Sequence, residues 1–143
     1  MPSYTRDELV EAYHSFVSVQ RAQDWSAYCD VFTEDAVYVE HALGTFEGRN
    51  AIRDWLVPVM KPLVGWEYPT LWTAYGDDFV VFGWDNTMPT PAGDDGVYRF
   101  TGVTKIDYAG NGKWGRQEDT YNNEEMKEVL GRWLAAGGSL GAG

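Results

Sequence analysis

The chain has 143 residues, 44% of them hydrophobic, with 11 Lys and Arg against 22 Asp and Glu for a net charge of −11. That length suits one domain with one core, and so large an apolar share argues against disorder. The acidity disfavours nucleic acid, because no basic stripe exists to neutralise phosphates, and it disfavours anionic membrane surfaces.

Thr5 and Glu8 form a capping box, after which Leu9, Tyr13, Phe16 and Gln20 recur at helical spacing. The pattern predicts a first helix over residues 6–22, with Gln20 as the polar exception on its apolar face. Asp24 is placed to cap a short second helix whose one side carries Trp25, Tyr28, Cys29 and Phe32. Residues 36–41 read as a strand with Val37 and Val39 on one side and Tyr38 and Glu40 on the other. Leu43-Gly44 supplies a turn. A third helix starts near Arg49, carries Ile52, Trp55, Leu56 and Val59, and is kinked or ended by Pro58. Four stretches rich in Trp, Tyr, Phe, Val and Thr follow, over residues 66–75, 79–88, 96–107 and 112–122. Short turns separate them, which predicts an antiparallel meander. Asn122 with Glu125 caps a last helix bearing Met126, Val129, Leu130 and Trp133. The expected architecture is α+β, helices packed on one face of a curved antiparallel sheet. It forms a single domain over residues 1–136, and Gly137 to Gly143 read as a flexible tail.

One cysteine, Cys29, leaves no intrachain disulfide on which the fold could depend. The first residues lack the basic and apolar regions of a signal peptide, and no run of some 18 apolar residues exists to span a bilayer. A cytoplasmic location is the resulting expectation. Residues 110–115 spell G-x-G-x-x-G, but they join two strands and open no helix that could hold a pyrophosphate. Residues 137–141 spell G-x-S-x-G in the tail, with no strand-to-helix elbow. Two histidines without H-E-x-x-H make a metal site an unfavoured reading. The sequence implies no cofactor.

Chemistry is best sought around Glu40, a carboxylate inside an apolar, aromatic strand. If it points inward, burial raises its proton affinity and suits it to acid–base work. His41 points the other way in a regular strand, yet the turn begins there, and a swing toward a cavity mouth makes it a second catalytic candidate. On the last strand Gln117, Asp119 and Tyr121 share one face, while Arg116, Glu118 and Thr120 share the other. One bulge would exchange the two sets. In the strand from Phe79, the side holding Phe82, Trp84, Asn86 and Met88 reads as a lining, with Asn86 as a hydrogen-bonding candidate. Tyr98 and Phe100 line the next strand.

The run Asp24-Trp25, Phe32 to His41, Gly44 and Gly48 to Arg53 resembles the SnoaL-like branch of the nuclear transport factor 2-like superfamily, with element order agreeing over residues 5–135. The resemblance implies a cone in which a curved sheet wraps a long helix around a deep apolar cavity. It covers polyketide cyclases, ketosteroid isomerases, scytalone-type dehydratases, limonene-epoxide hydrolases and non-enzymatic members. Laid on the isomerases, Glu40 falls at their carboxylate base. Phe16, Phe32 and Gly102 fall where they carry oxyanion-hole or supporting groups, so that mode of catalysis is not expected. Similarity to the cyclases favours Asp119 as the cavity-facing carboxylate. The catalytic set expected is therefore Glu40, His41 and Asp119. Tyr13, Phe16, Tyr38, Trp55, Phe82, Trp84, Asn86, Tyr98, Phe100, Gln117 and Tyr121 are expected to contact the substrate. The expected ligand is a small apolar or aromatic molecule, and the resemblance favours a homodimer. The expected activity is that of a cofactor-free lyase, dehydratase, cyclase or isomerase; the alternative is a ligand-binding or assembly module of the same fold.

Overall fold

The computed structural model describes residues 4–141. Residues 1–3, read above for a leader, and 142–143, at the end of the predicted tail, lie outside that range. Helix α1 (Arg6–Ala22) begins at the Thr5 cap, whose hydroxyl accepts from Glu8 N at 3.1 Å. Helix α2 (Trp25–Cys29) begins at Asp24, whose carboxylate accepts from Ala27 N. Strand β1 (Phe32–Glu40) starts four residues earlier than its sequence pattern, because Phe32 leaves the helix to pair with Trp114. The predicted turn at Leu43-Gly44 opens a short strand, β2 (Gly44–Glu47), which folds back antiparallel on β1.

Helix α3 (Arg49–Met60) runs through Pro58 rather than ending before it. Pro58 and Asp54 both lie on the exposed side, so the Asp54 carbonyl that loses its helical donor faces water. Strand β3 (Thr70–Tyr75) starts later than predicted. Pro69 has no N–H to give the ladder there; its carbonyl accepts from Asp85 N at 3.0 Å, and Glu67 forms an isolated bridge to Thr87. Strands β4 (Phe79–Met88), β5 (Tyr98–Gly110) and β6 (Lys113–Tyr121) form the meander, and α4 (Asn123–Ala135) follows from the Asn122 cap.

The sheet order is β2-β1-β6-β5-β4-β3. The sheet is curved and unclosed, and it is mixed rather than wholly antiparallel, because β1 and β6 pair in parallel. The long connection between these two strands, which runs through β2, α3 and β3 to β5, makes such a pairing possible without a hairpin. Helix α1 buries Leu9, Tyr13 and Phe16 against the concave face, where Phe16 meets Tyr28, Phe82 and Trp114. Helix α4 buries Val129 and Trp133, and the Trp133 indole donates to Pro89 O at 2.6 Å. After α4 the chain turns back. Gly138 N donates to Trp133 O at 2.9 Å and Gly141 N to Pro62 O at 2.7 Å. Among the described residues no helix is long and apolar enough to cross a membrane.

Candidate active site

Parallel pairing in register places Tyr38 opposite Gln117 and Glu40 opposite Asp119. Since side chains alternate along a strand, all four project to the concave side. There they line a cavity of about 250 Å³ between the sheet and the helices. Trp55, Phe82, Trp84, Asn86, Phe100 and Tyr121 line it as well.

Asp119 is the focus of a buried hydrogen-bond network. Its Oδ1 accepts from Thr104 Oγ1 at 2.7 Å and from Gln117 Nε2 at 3.0 Å, and its Oδ2 accepts from the Tyr38 hydroxyl. The donors are themselves fixed. Trp84 Nε1 donates to Thr104 Oγ1 at 2.8 Å, which leaves the Thr104 proton for Asp119. Gln117 Nε2 also donates to the Tyr38 oxygen at 2.9 Å, which leaves the Tyr38 proton for Asp119. Tyr28 donates to Gln117 Oε1 at 2.6 Å and so sets which way that amide faces. Three protons, from Thr104, Gln117 and Tyr38, are directed at one carboxyl group.

Burial raises the pKa of Asp119 above the usual carboxylate range. The bonds from Gln117, Tyr38 and Thr104 oppose the rise, and the negative charge of Glu40 adds to it. Asp119 is half-buried; protein packs densely around it, and it lines the cavity. Tyr38 and Tyr28 are also pushed well above the ordinary phenol value, by burial first and by the Asp119 charge second. They stay protonated donors at neutral pH.

Glu40 is buried beside this network. Its Oε1 accepts the Ala42 backbone N–H at 2.8 Å and its Oε2 accepts the Tyr121 hydroxyl at 2.7 Å. Burial, and then the bond to Glu40, raise the Tyr121 pKa. Three further lining residues, Trp66, Tyr68 and Asn86, each hold a buried polar atom (Nε1, the hydroxyl and Oδ1) with no partner among the described residues.

Four residues expected at the site lie elsewhere. His41 does not swing to the mouth. It is exposed on the outer side, where its Nε2 meets Glu118 Oε2 at 2.6 Å, and that contact lowers the Glu118 pKa. Tyr13 and Phe16 belong to the packed core under α1, Tyr13 with its hydroxyl 3.0 Å from Thr73 Oγ1. Tyr98 has the inward parity of its strand but sits at the end beyond the cavity, where it donates to Asp94. Tyr28 and Thr104 were missed. Thr104 shares the alternation of Phe100 and Gly102, a signal sufficient to find it. Tyr28 looked like an ordinary apolar-face helix residue, and nothing local marked its hydroxyl. Gln20, marked in the sequence as the polar exception, does line the cavity. Among the described residues no group of three His, Cys, Asp or Glu is placed to hold a metal ion.

No curated protein matches the sequence. Solved structures do match its fold. A candidate SnoaL-like polyketide cyclase from Shewanella putrefaciens CN-32 aligns with a TM-score of 0.73 at 14% identity, over 92% of this chain and 88% of that chain. An epoxide hydrolase of the LEH-like type from M. tuberculosis aligns at 0.71 and 17% identity, over 91% and 94%. A protein from Catenulispora acidiphila DSM 44928 with a ketosteroid isomerase-like fold, solved in complex with trimethylamine, aligns at 0.69 and 17% identity, over 90% and 95%. The family model of the SnoaL-like domain matches residues 10–117, and the chain belongs to that family.

Proposed function

We propose that the chain is a cofactor-independent acid–base enzyme acting on a small, largely apolar cyclic or aromatic molecule, as a lyase, dehydratase, cyclase or isomerase. The observation that carries this reading is Asp119: a carboxyl group of raised proton affinity on an apolar cavity wall, with three donors aimed at it. Such a group exchanges a proton closer to neutral pH than an exposed aspartate does. Its Oδ2 has one protein donor where Oδ1 has two, so Oδ2 is the atom left for substrate. In the proposed step Oδ2 removes a proton from the carbon next to a carbonyl, and the C–H electron pair moves onto the carbonyl oxygen to give an enolate, which in a β-hydroxy ketone collapses to C=C as the C–O bond to the hydroxyl breaks. The proton then returns at another carbon or on a departing hydroxyl. Tyr121, held by Glu40, and Asn86 orient the substrate. A fold whose members include one holding trimethylamine supports a small-molecule ligand.

The test is turnover of a panel of cyclic and aryl ketones and β-hydroxy ketones, with proton exchange at carbon followed by NMR in D2O. Loss of exchange in a folded Asp119→Asn variant is the expected result; undiminished exchange overturns the assignment.

A second reading, a non-catalytic binder, draws on a specific feature: each oxygen of Glu40 and Asp119 already has a partner in the chain. It predicts that the natural chain holds a small molecule in the cavity and that no panel compound is turned over. The homodimer belongs to the same proposal, and light scattering that finds only monomer at micromolar concentration removes it.

A further inference from the structure

The charged residues lining the cavity are of one sign only. Glu40 and Asp119 line it, and among the described residues no Lys, Arg or His does. Basic residues of the neighbouring elements are engaged elsewhere, His41 among them with Glu118. Arg53 binds Asp30 and Ser26 O, Arg49 binds Phe32 O, and Arg116 meets Glu118. Buried carboxylates are ordinarily paired with a positive partner, because an uncompensated charge in a poorly solvated space is costly. Here the chain supplies hydrogen-bond donors but no counter-charge, and the two acidic groups are Cα partners on adjacent strands.

The walls match that deficit. Trp84, Phe100 and Tyr121 form a cluster with ring centroids 6.2, 5.5 and 6.1 Å apart. The cluster is tied to both carboxylates: Tyr121 through its hydroxyl to Glu40, and Trp84 through Thr104 to Asp119. Tyr38 and Trp55 add a second aromatic pair at 5.0 Å. Aromatic faces attract cations, most strongly where water is excluded.

We propose that this cavity takes an organic cation, a tertiary or quaternary ammonium on a small ring-bearing body. Its nitrogen sits near Glu40 and Asp119 and against the aromatic cluster, and its apolar part fills the remaining space. The proposal rests on the cavity being the ligand site, and it holds whether or not the ligand is turned over.

The test compares three compounds of one skeleton: benzyltrimethylammonium, the neutral 2-methyl-1-phenylpropan-2-ol, and the anionic 2,2-dimethyl-3-phenylpropanoate. Each is titrated into the full chain by calorimetry and tryptophan fluorescence at physiological salt. The cation is expected to bind at least about tenfold more tightly than the alcohol, as burial of a cation against aromatic faces and carboxylates implies, and the anion to bind most weakly. The Glu40→Gln/Asp119→Asn double variant, if folded by circular dichroism, is expected to lose that preference while keeping the alcohol's affinity. The comparison on the unaltered chain stands without the variant. An alcohol that binds as well as the cation overturns the charge inference and leaves the cavity as the ligand site. Binding of none of the three overturns both.

Discussion

Glu40 and Asp119 are Cα partners in the one parallel strand pair of the sheet, and both side chains line the cavity. The pairing fixes parity on both strands together. If Glu40 and Asp119 face inward, their neighbours His41 and Glu118 face outward, where they bond to each other.

The outward pair yields the first prediction. His41→Ala is expected to cost less than about 1 kcal/mol of stability, the usual worth of an exposed ion pair, and to leave turnover and ligand affinity unchanged. A loss of activity beyond tenfold without a loss of stability would place His41 in the chemistry and contradict its outward position.

Asp119 gives stability a pH dependence of known sign. Its folded pKa lies above the ordinary 3.8. From about that pH up to its folded pKa, the folded chain holds a proton that the unfolded chain has released. The stability contributed by the group is therefore complete below the unfolded value, is lost as pH rises through the folded value, and stays lost above it. Asn at this position does not titrate. The stability of Asp119→Asn relative to the natural chain is expected to rise with pH across that window and then level off, as denaturant titrations from pH 4 to 8 will read. A difference that is flat or falls with pH removes burial as the dominant influence on Asp119.

The Tyr38 hydroxyl donates to Asp119 and accepts from Gln117. Tyr38→Phe removes one of the three donors that favour the ionised carboxylate. The Asp119 pKa is then expected to rise further, moving the acid limb of any pH–rate profile upward. The lost bonds are expected to cost about 1–3 kcal/mol, as for a buried partner left unsatisfied. Carboxyl infrared titration reads the shift directly. A shift to lower pH would reverse the donor assignment.

Gly102 lies under the Trp84 indole, and a Cβ there would collide with its six-membered ring. Gly102→Ala is expected to destabilise by about 1–3 kcal/mol, as overpacking does, and to pull the indole N–H away from Thr104. The effect should be strongly non-additive with Trp84→Phe in a double-mutant cycle. Additive effects would show that the indole does not hold Thr104 in place.

What the sequence revealed depended on how local the signal was. The parity of Tyr38 with Glu40, and of Phe82, Trp84 and Asn86, follows from period two alone, and the cavity shows it directly. The Thr5, Asp24 and Asn122 caps follow from the hydrogen-bonding reach of short polar side chains. The pairing of β1 with β6 has no local signature, since it depends on which distant strand fills the open edge. Strand β2 is four residues long and was hidden inside a turn signal. Tyr28 escaped notice because the Gln117 amide that gives its hydroxyl a purpose is 89 positions away. Pro58 does not end the helix because its usual penalty is relieved when the orphaned carbonyl faces solvent.

The parallel pair also bears on how the molecule is assembled in time. Every other strand pair joins neighbours in sequence, whereas Tyr38 and Gln117 are 79 positions apart. Contacts at such separation require a large loop to be closed first, and they slow folding. The meander and its hairpins can form while the chain still lacks a site; Glu40 meets Asp119 only when β1 adds to the β6 side of the meander. A compound touching both strands consequently rewards a contact made late on the folding path, so its presence should lengthen the life of the folded molecule and leave the speed of reaching it nearly unchanged.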